Sequence, residues 1–131
     1  MEYPETNLPA PPGGLILLSP WVDAGTSHNG PKTSLETFTM DCLGSLDSMK
    51  ARQSKQAFVG PHGLGAAENN RYISPASKSG GVNASFKGFP RTFINAGGAE
   101  RLYDSIVTLK ERMVKDMGEG IGPGQVTSPQ V

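Results

Sequence analysis

Apolar positions are concentrated in a few segments of the chain, with long polar stretches between them. Gly14-Leu15-Ile16-Leu17-Leu18-Ser19 is a continuous apolar run closed by Pro20 and preceded by a Pro-Pro-Gly stop. A run without alternation predicts a strand over residues 14–19 that is buried on both faces, as in a parallel sheet. Leu35, Phe38, Cys42, Leu43 and Leu46 then recur at helical spacing behind Ser34, a suitable N-cap. They predict an amphipathic helix over residues 35–47. Residues 48–56 are polar and open to either helix or irregular structure. Gly60-Pro61-His62-Gly63-Leu64-Gly65 reads as loop and Lys78-Ser79-Gly80-Gly81 as a turn. Tyr72-Ile73-Ser74-Pro75 reads as a short extended piece, because residues before proline avoid helical geometry.

The last third of the chain is the most regular. Gly88-Phe89-Pro90 leads into a second predicted strand over residues 91–96, and the turn Gly97-Gly98 follows. Leu102, Ile106, Leu109, Met113 and Met117 form one stripe of a helix over residues 101–117. Lys110, Glu111, Arg112, Lys115 and Asp116 fill its other face, and Gly118 suits the position after its end. Residues 118–131 read as a flexible tail, within which Gln125-Val126-Thr127 begins a third strand. The fold class is therefore α/β with an incomplete, mostly parallel sheet, interrupted by a long insertion over residues 20–88. Two strands are marginal alone, so residues 1–131 are expected to be one partial domain, the chain starting and stopping inside it. No internal repeat is present.

Composition narrows the function. The 131 residues suffice for one modest domain, and a net charge of zero argues against nucleic acid as a partner. Glycine (17) and proline (11) together stay below the low-complexity range of roughly 25–30%. A single Cys42 excludes an internal disulfide and a cysteine-based zinc site, and reads as a small buried hydrophobe on a helix. The longest apolar run, Leu15 to Leu18, is far short of the roughly 20 residues that span a bilayer, so a membrane partner is not expected. The first five residues lack the basic and apolar regions of a signal peptide.

Candidate chemistry centres on Phe93-Ile94-Asn95-Ala96-Gly97-Gly98-Ala99-Glu100-Arg101-Leu102-Tyr103-Asp104, a strand that ends in a glycine turn bearing an acid and then opens a helix. Ligand sites of open α/β sheets lie outside the carboxyl ends of their strands. An acid there can orient and charge-stabilise a histidine during acyl transfer. Glu100 and Asp104 equally suit the positive N-terminus of the helix that follows, and the residues alone leave both readings open. No Gly-x-Ser-x-Gly elbow exists; the nearest stretch, Gly25-Thr26-Ser27-His28-Asn29, follows a strand closed by proline and opens no helix, so Ser27 reads as a loop serine. His28 and His62 read as solvent-facing loop histidines, and without a companion acid motif they are weak metal ligands; neither a metal nor a cofactor is expected. The glycines around His62 read as loop punctuation rather than an oxyanion hole, those from Gly118 to Gly124 as a linker rather than a phosphate cradle, and Asn83-Ala84-Ser85 is a sequon by pattern alone.

Three runs taken together carry a family resemblance: residues 15–23 (Leu-Ile-Leu-Leu-Ser-Pro-Trp-Val-Asp), 72–75 (Tyr-Ile-Ser-Pro) and 89–104, from Phe89 to Asp104. In order and approximate spacing they resemble the C-terminal half of the hormone-sensitive-lipase-like branch of the α/β-hydrolases, fungal esterases and acetyl-hydrolases in particular. The resemblance implies an incomplete α/β-hydrolase fold in which the segment between the strands contributes to a cap over an acyl pocket. It implies cofactor-free Ser-His-acid acyl transfer on small acyl or acetyl esters, the ester being the expected partner of a complete domain. Glu100-Arg101-Leu102-Tyr103-Asp104 matches the family's acid-x-Leu-x-Asp pattern, with Glu100 at the catalytic-acid place and Asp104 at the second acid. Many members carry Asp at the first place, which leaves the choice between the two open. The family's His-Gly-Gly and Gly-Asp-Ser-Ala-Gly motifs are not in this chain, and no histidine follows His62. The chain alone is therefore expected to be inactive; the alternative is a non-enzymatic remnant or interaction module, and a third option is an unrelated small α/β binding domain.

Overall fold

The computed structural model describes residues 9–45 and 48–129, so the parts of the sequence expectations that fall on residues 1–8, 46–47 and 130–131 lie outside the described residues. Three strands, β1 (Gly14–Leu18), β2 (Arg91–Asn95) and β3 (Val126–Thr127), form a parallel sheet in the order β1-β2-β3. Leu15 pairs with Thr92 and Leu17 with Ile94, while Thr92 pairs with Val126. These residues share one face. That face packs on the long helix α4 (Tyr103–Met117), whose Ile106, Leu109 and Met113 are buried against Ile94 and Val126. Full burial of such a side chain is worth about 1.5–3 kcal/mol, so the β2–α4–β3 unit carries the main core. It is also the part whose periodicity was plainest in the sequence.

The opposite face is open. Ile16 and Leu18 of β1 are 70% and 68% exposed, and Phe93 beside Ile16 is partly exposed. The expectation that β1 is buried on both faces is therefore corrected. Its continuous apolar run fits a strand covered on two sides, but among the described residues only the α4 side is covered.

The predicted helix over residues 35–47 is also corrected. Helix α1 spans only Ser34–Thr37, and Phe38 leaves helical geometry at φ −91°, ψ 76°. Asp41 competes with the helix: its Oδ1 accepts the Leu43 N–H at 2.9 Å and its Oδ2 the Arg101 N–H at 2.6 Å. A short polar side chain that caps nearby backbone groups favours a turn over a helix interior. The apolar spacing of this stretch marks no buried stripe, for Leu43 is exposed and Cys42 is an exposed thiol in a turn, not a buried hydrophobe.

The polar stretch after it is helical. Helix α2 (Met49–Val59) starts at Ser48, whose Oγ accepts the Ala51 N–H at 3.2 Å. A 3-10 turn over Gly60–His62 and a one-turn helix α3 (Ala66–Asn69) follow. Residues 71–73 form a turn rather than an extended piece, because the N–H groups of Ile73 and Ser74 both return to the Asn70 carbonyl. Ser74 then locks the segment: its Oγ donates to the Ala67 carbonyl at 2.6 Å and accepts the Ala24 N–H at 3.0 Å. Ala24, Val59 and Ala67 form a small second core. Gly25 passes so close to α3 that a Cβ there would lie 2.7 Å from the Glu68 carboxylate and 2.8 Å from the Ala67 carbonyl.

The polar side of α4 ties this insertion down. Arg112 donates to the carbonyls of Pro75 (2.6 Å) and Ser77 (2.7 Å), and Asp116 accepts the Phe86 N–H at 2.7 Å. After Gly118 the chain turns back: Val126 N–H donates to the Gly118 carbonyl, Gly120 N–H to the Val126 carbonyl, and Thr127 Oγ1 to the Gly120 carbonyl. The third strand thus forms where Gln125-Val126-Thr127 suggested it.

Candidate functional site

Strands β1 and β2 end side by side, Leu18 opposite Asn95. Beyond β1 the Ser19 N–H continues the ladder to the Asn95 carbonyl at 2.9 Å, with Ser19 in the left-handed region at φ 44°. Beyond β2 the chain turns at Gly97, whose carbonyl accepts the Glu100 N–H at 3.2 Å. This turn brings the Glu100 side chain back over the strand ends. Its Oε2 accepts the Ser19 hydroxyl at 2.6 Å. Its Oε1 is buried and has no hydrogen-bond partner among the described residues. A buried, unpaired carboxylate oxygen is costly, by about 1–3 kcal/mol or more, and such an exception calls for an explanation, of which a catalytic role is one; Arg101 Nε is likewise buried and unpartnered among the described residues.

A cleft of about 470 Å³ opens beside this carboxylate, lined by Ser19, Trp21, Leu43, Ala51, Glu100 and Leu102 among others. Trp21 is fixed by its indole N–H, which donates to the Asp23 carbonyl at 2.8 Å, and Lys55 lies over its ring at 5.9 Å. A cleft at the carboxyl ends of parallel strands, walled in part by Trp21, Leu43 and Leu102 and bearing the acids Glu100 and Asp41, has the placement of an α/β ligand site. A second cavity of about 530 Å³, lined by Leu15, Tyr72, Phe86, Phe89 and Met113, lies away from Glu100 and carries no comparable acid.

Asp104 stands differently. Its Oδ2 accepts the Ser34 N–H at 2.7 Å, and the Ser34 hydroxyl accepts the Asp104 N–H at 3.1 Å while donating to the Arg101 carbonyl at 2.7 Å. Asp104 thus clasps α1 to the first turn of α4. Arg101, between the two acids, points the other way and donates from its guanidinium to the Leu35 carbonyl at 2.5 Å.

The loop after β1 contains a cluster that the sequence reading missed. His28 is not solvent-facing: it is 4% exposed, with Nδ1 2.7 Å from Asp23 Oδ2 and Nε2 2.9 Å from Thr108 Oγ1 of α4. Ser27 Oγ donates to the same Asp23 oxygen at 2.6 Å and accepts the Lys78 N–H at 2.8 Å. Burial of Asp23 pushes its pKa upward, but hydrogen bonds from His28, Ser27 and the Gly25 N–H outweigh it and hold the carboxyl below the usual value. Ser27, His28 and Asp23 meet in space, yet not as a catalytic relay. Both histidine nitrogens are engaged by Asp23 and Thr108, and the adjoining cavity of about 30 Å³ has room for only a water or two. The cluster fastens the loop to α4. Its one sequence signal was an acid just past a strand end, five residues before a histidine. His62 sits exposed in the 3-10 turn. Among the described residues no three His, Cys, Asp or Glu side chains converge as a metal site, and no helix is long and apolar enough to cross a membrane.

No protein-family model and no curated protein sequence matches the chain. Solved structures do. One is EstE5 soaked with ethyl alcohol, at 24% identity and a TM-score of 0.61, covering 90% of this chain and 33% of that protein. Another is a hormone-sensitive lipase from a metagenome library, at 26% identity and a TM-score of 0.59, covering 93% of this chain and 33% of that one. The chain thus spans about a third of the length of the structures it matches. The open three-stranded parallel sheet and its long helix have the fold of part of an α/β-hydrolase of the hormone-sensitive-lipase type.

Proposed function

We propose that residues 9–129 form the acid-bearing part of a carboxylic-ester hydrolase and that Glu100 is the acid of its Ser-His-acid relay. The observation that supports this most is the state of the Glu100 carboxylate, with one oxygen held by Ser19 and the other buried without a donor among the described residues. An imidazole N–H is the donor such an acid receives in acyl transfer. In that reaction a serine hydroxyl attacks the ester carbonyl and gives its proton to the imidazole, the alcohol leaves with that proton, and water then hydrolyses the acyl-enzyme. Glu100 holds the imidazole in the required tautomer and balances its transient charge. The cleft beside it, walled by Trp21, Leu43 and Ala51, suits small acyl or acetyl esters. Asp104, occupied with Ser34, is the positioning acid of the pair. The insertion over residues 20–88 contributes the wall of that cleft, and the chain by itself lacks serine, histidine and oxyanion donors in a catalytic arrangement among its described residues.

The test is a chimera in which residues 9–129 replace the aligned third of the metagenomic hormone-sensitive lipase, assayed with p-nitrophenyl acetate. The chimera is expected to turn over and the isolated chain is not. Glu100→Gln in the chimera should lower kcat by about 10³–10⁴, whereas a Gln variant as active as its parent would remove Glu100 from the relay. A second reading, an interaction module, draws on the open sheet face bearing Ile16, Leu18 and Phe93. Turnover by the chimera that is lost in its Glu100→Gln variant would argue against it.

A further inference from the structure

We infer that Ser19 is a positioning residue for the Glu100 carboxylate, an inference that rests on the reading of Glu100 as the relay acid. Three observations meet at this serine. Its hydroxyl lies 2.6 Å from Glu100 Oε2, within the short range of O–H···O⁻ bonds to an ionised acceptor. Its backbone is held at φ 44°, a left-handed conformation that L-residues other than Asn and Asp seldom adopt. The other oxygen of the same carboxylate is buried and unpartnered among the described residues.

The conformation runs against local preference. The Ser19 N–H is drawn into the β1–β2 ladder by the Asn95 carbonyl, whereas Pro20 favours extended geometry in the residue before it. The same geometry aims the hydroxyl across the strand ends at the turn after β2. Glycine would take this backbone at no steric cost but would leave Oε2 without its donor. The serine therefore does something that the backbone alone does not require. Pinning Oε2 removes rotational freedom from the carboxylate and fixes where Oε1 points, which is the oxygen left to receive a donor. Because the pair is solvent-exposed, its value lies in orientation more than in stability.

Two variants separate hydroxyl from strain. Ser19→Ala removes the hydroxyl and keeps the strain; Ser19→Gly removes both. In the chimera described above, both should lower kcat about tenfold with KM unchanged, although Ser19→Gly should melt no lower than the parent. In the isolated full chain, the Glu100 carboxyl ¹³C resonance should move in both variants while that of Asp104 stays in place. A Ser19→Gly chimera with parental kcat, or a Glu100 resonance indifferent to both substitutions, would overturn the inference. The resonance shift does not depend on catalysis. A shifted resonance combined with a fully active Glu100→Gln chimera would instead retire the relay reading and leave the Ser19–Glu100 contact standing.

Discussion

Asp104 Oδ2 accepts the backbone N–H of Ser34 at 2.7 Å, and the Ser34 hydroxyl accepts the Asp104 N–H in return. Two residues seventy positions apart thus satisfy one another across the α1–α4 contact, with Ser34 buried. This exchange separates two acids that are chemically alike and only one helical turn apart. Asp104 is committed to the fold, whereas Glu100 keeps one oxygen without a partner among the described residues.

Asp104→Ala should accordingly destabilise the chain by about 1–3 kcal/mol, the usual cost of leaving a buried donor unpaired. Urea unfolding followed by circular dichroism measures it. In the chimera the same change should alter turnover far less than Glu100→Gln does. Comparable losses of kcat from both substitutions would show that the geometry does not divide their roles in this way.

The buried His28 predicts a second structural dependence. Its ring bridges the Asp23 loop to Thr108 of α4. His28→Ala leaves Asp23 buried with one donor fewer and opens a void, a combination worth about 2–4 kcal/mol. Thr108→Val keeps the volume and removes only the hydroxyl, so it should cost roughly 1 kcal/mol. Thermal denaturation of the two variants should rank them in that order.

Acid should unfold the chain through Asp23 and Asp41. For Asp23, burial is the largest influence and raises the pKa, but its hydrogen bonds bring the net value below the ordinary 3.8. Asp41 is lowered by the Leu43 N–H first and the Arg101 N–H second. Groups lowered on folding contribute stability that is fully present above their unfolded pKa and is lost as pH falls through the folded one. The urea midpoint should thus stay level for these groups from neutral pH down to about pH 5 and drop below about pH 4. Asp23→Asn should flatten that drop, and a variant retaining the full acid dependence would place its origin elsewhere.

The β2–α4–β3 unit was legible in the sequence because its signals agree. Leu102, Ile106, Leu109 and Met113 keep a helical period, Gly97-Gly98 and Gly118 punctuate it, and the buried residues are the apolar ones. The insertion was less legible because polar side chains fix it through partners distant in sequence. Asp41 finds the Arg101 N–H, Ser74 bridges Ala24 and Ala67, and Arg112 caps the carbonyls of Pro75 and Ser77. Periodicity carries no record of such pairings. His28 was misread for the same reason: a loop composition of Gly, Asn and Pro says nothing about a buried carboxylate five residues earlier. At the candidate site, the sequence pattern offered Glu100 and Asp104 as interchangeable acids. What distinguishes the two is Ser19 on one side and Ser34 on the other, and each lies more than sixty positions away.

The open sheet face yields the last prediction. Ile16, Leu18 and Phe93 stand together on the face that α4 does not cover, and among the described residues β1 pairs only with β2. No charged residue lies between positions 10 and 20 to guard the free edge, and natural edge strands use charge for that purpose. The isolated chain should therefore self-associate at micromolar concentration, with the apolar face and free edge of β1 as the sticky elements. Ile16→Lys places a charge in the middle of the exposed face and touches none of the α4 core, so it should restore a monomer in sedimentation velocity without lowering the melting temperature. Ile94→Lys, directed into the core, should unfold the chain instead. If Ile16→Lys leaves association unchanged while the fold persists, another surface is responsible.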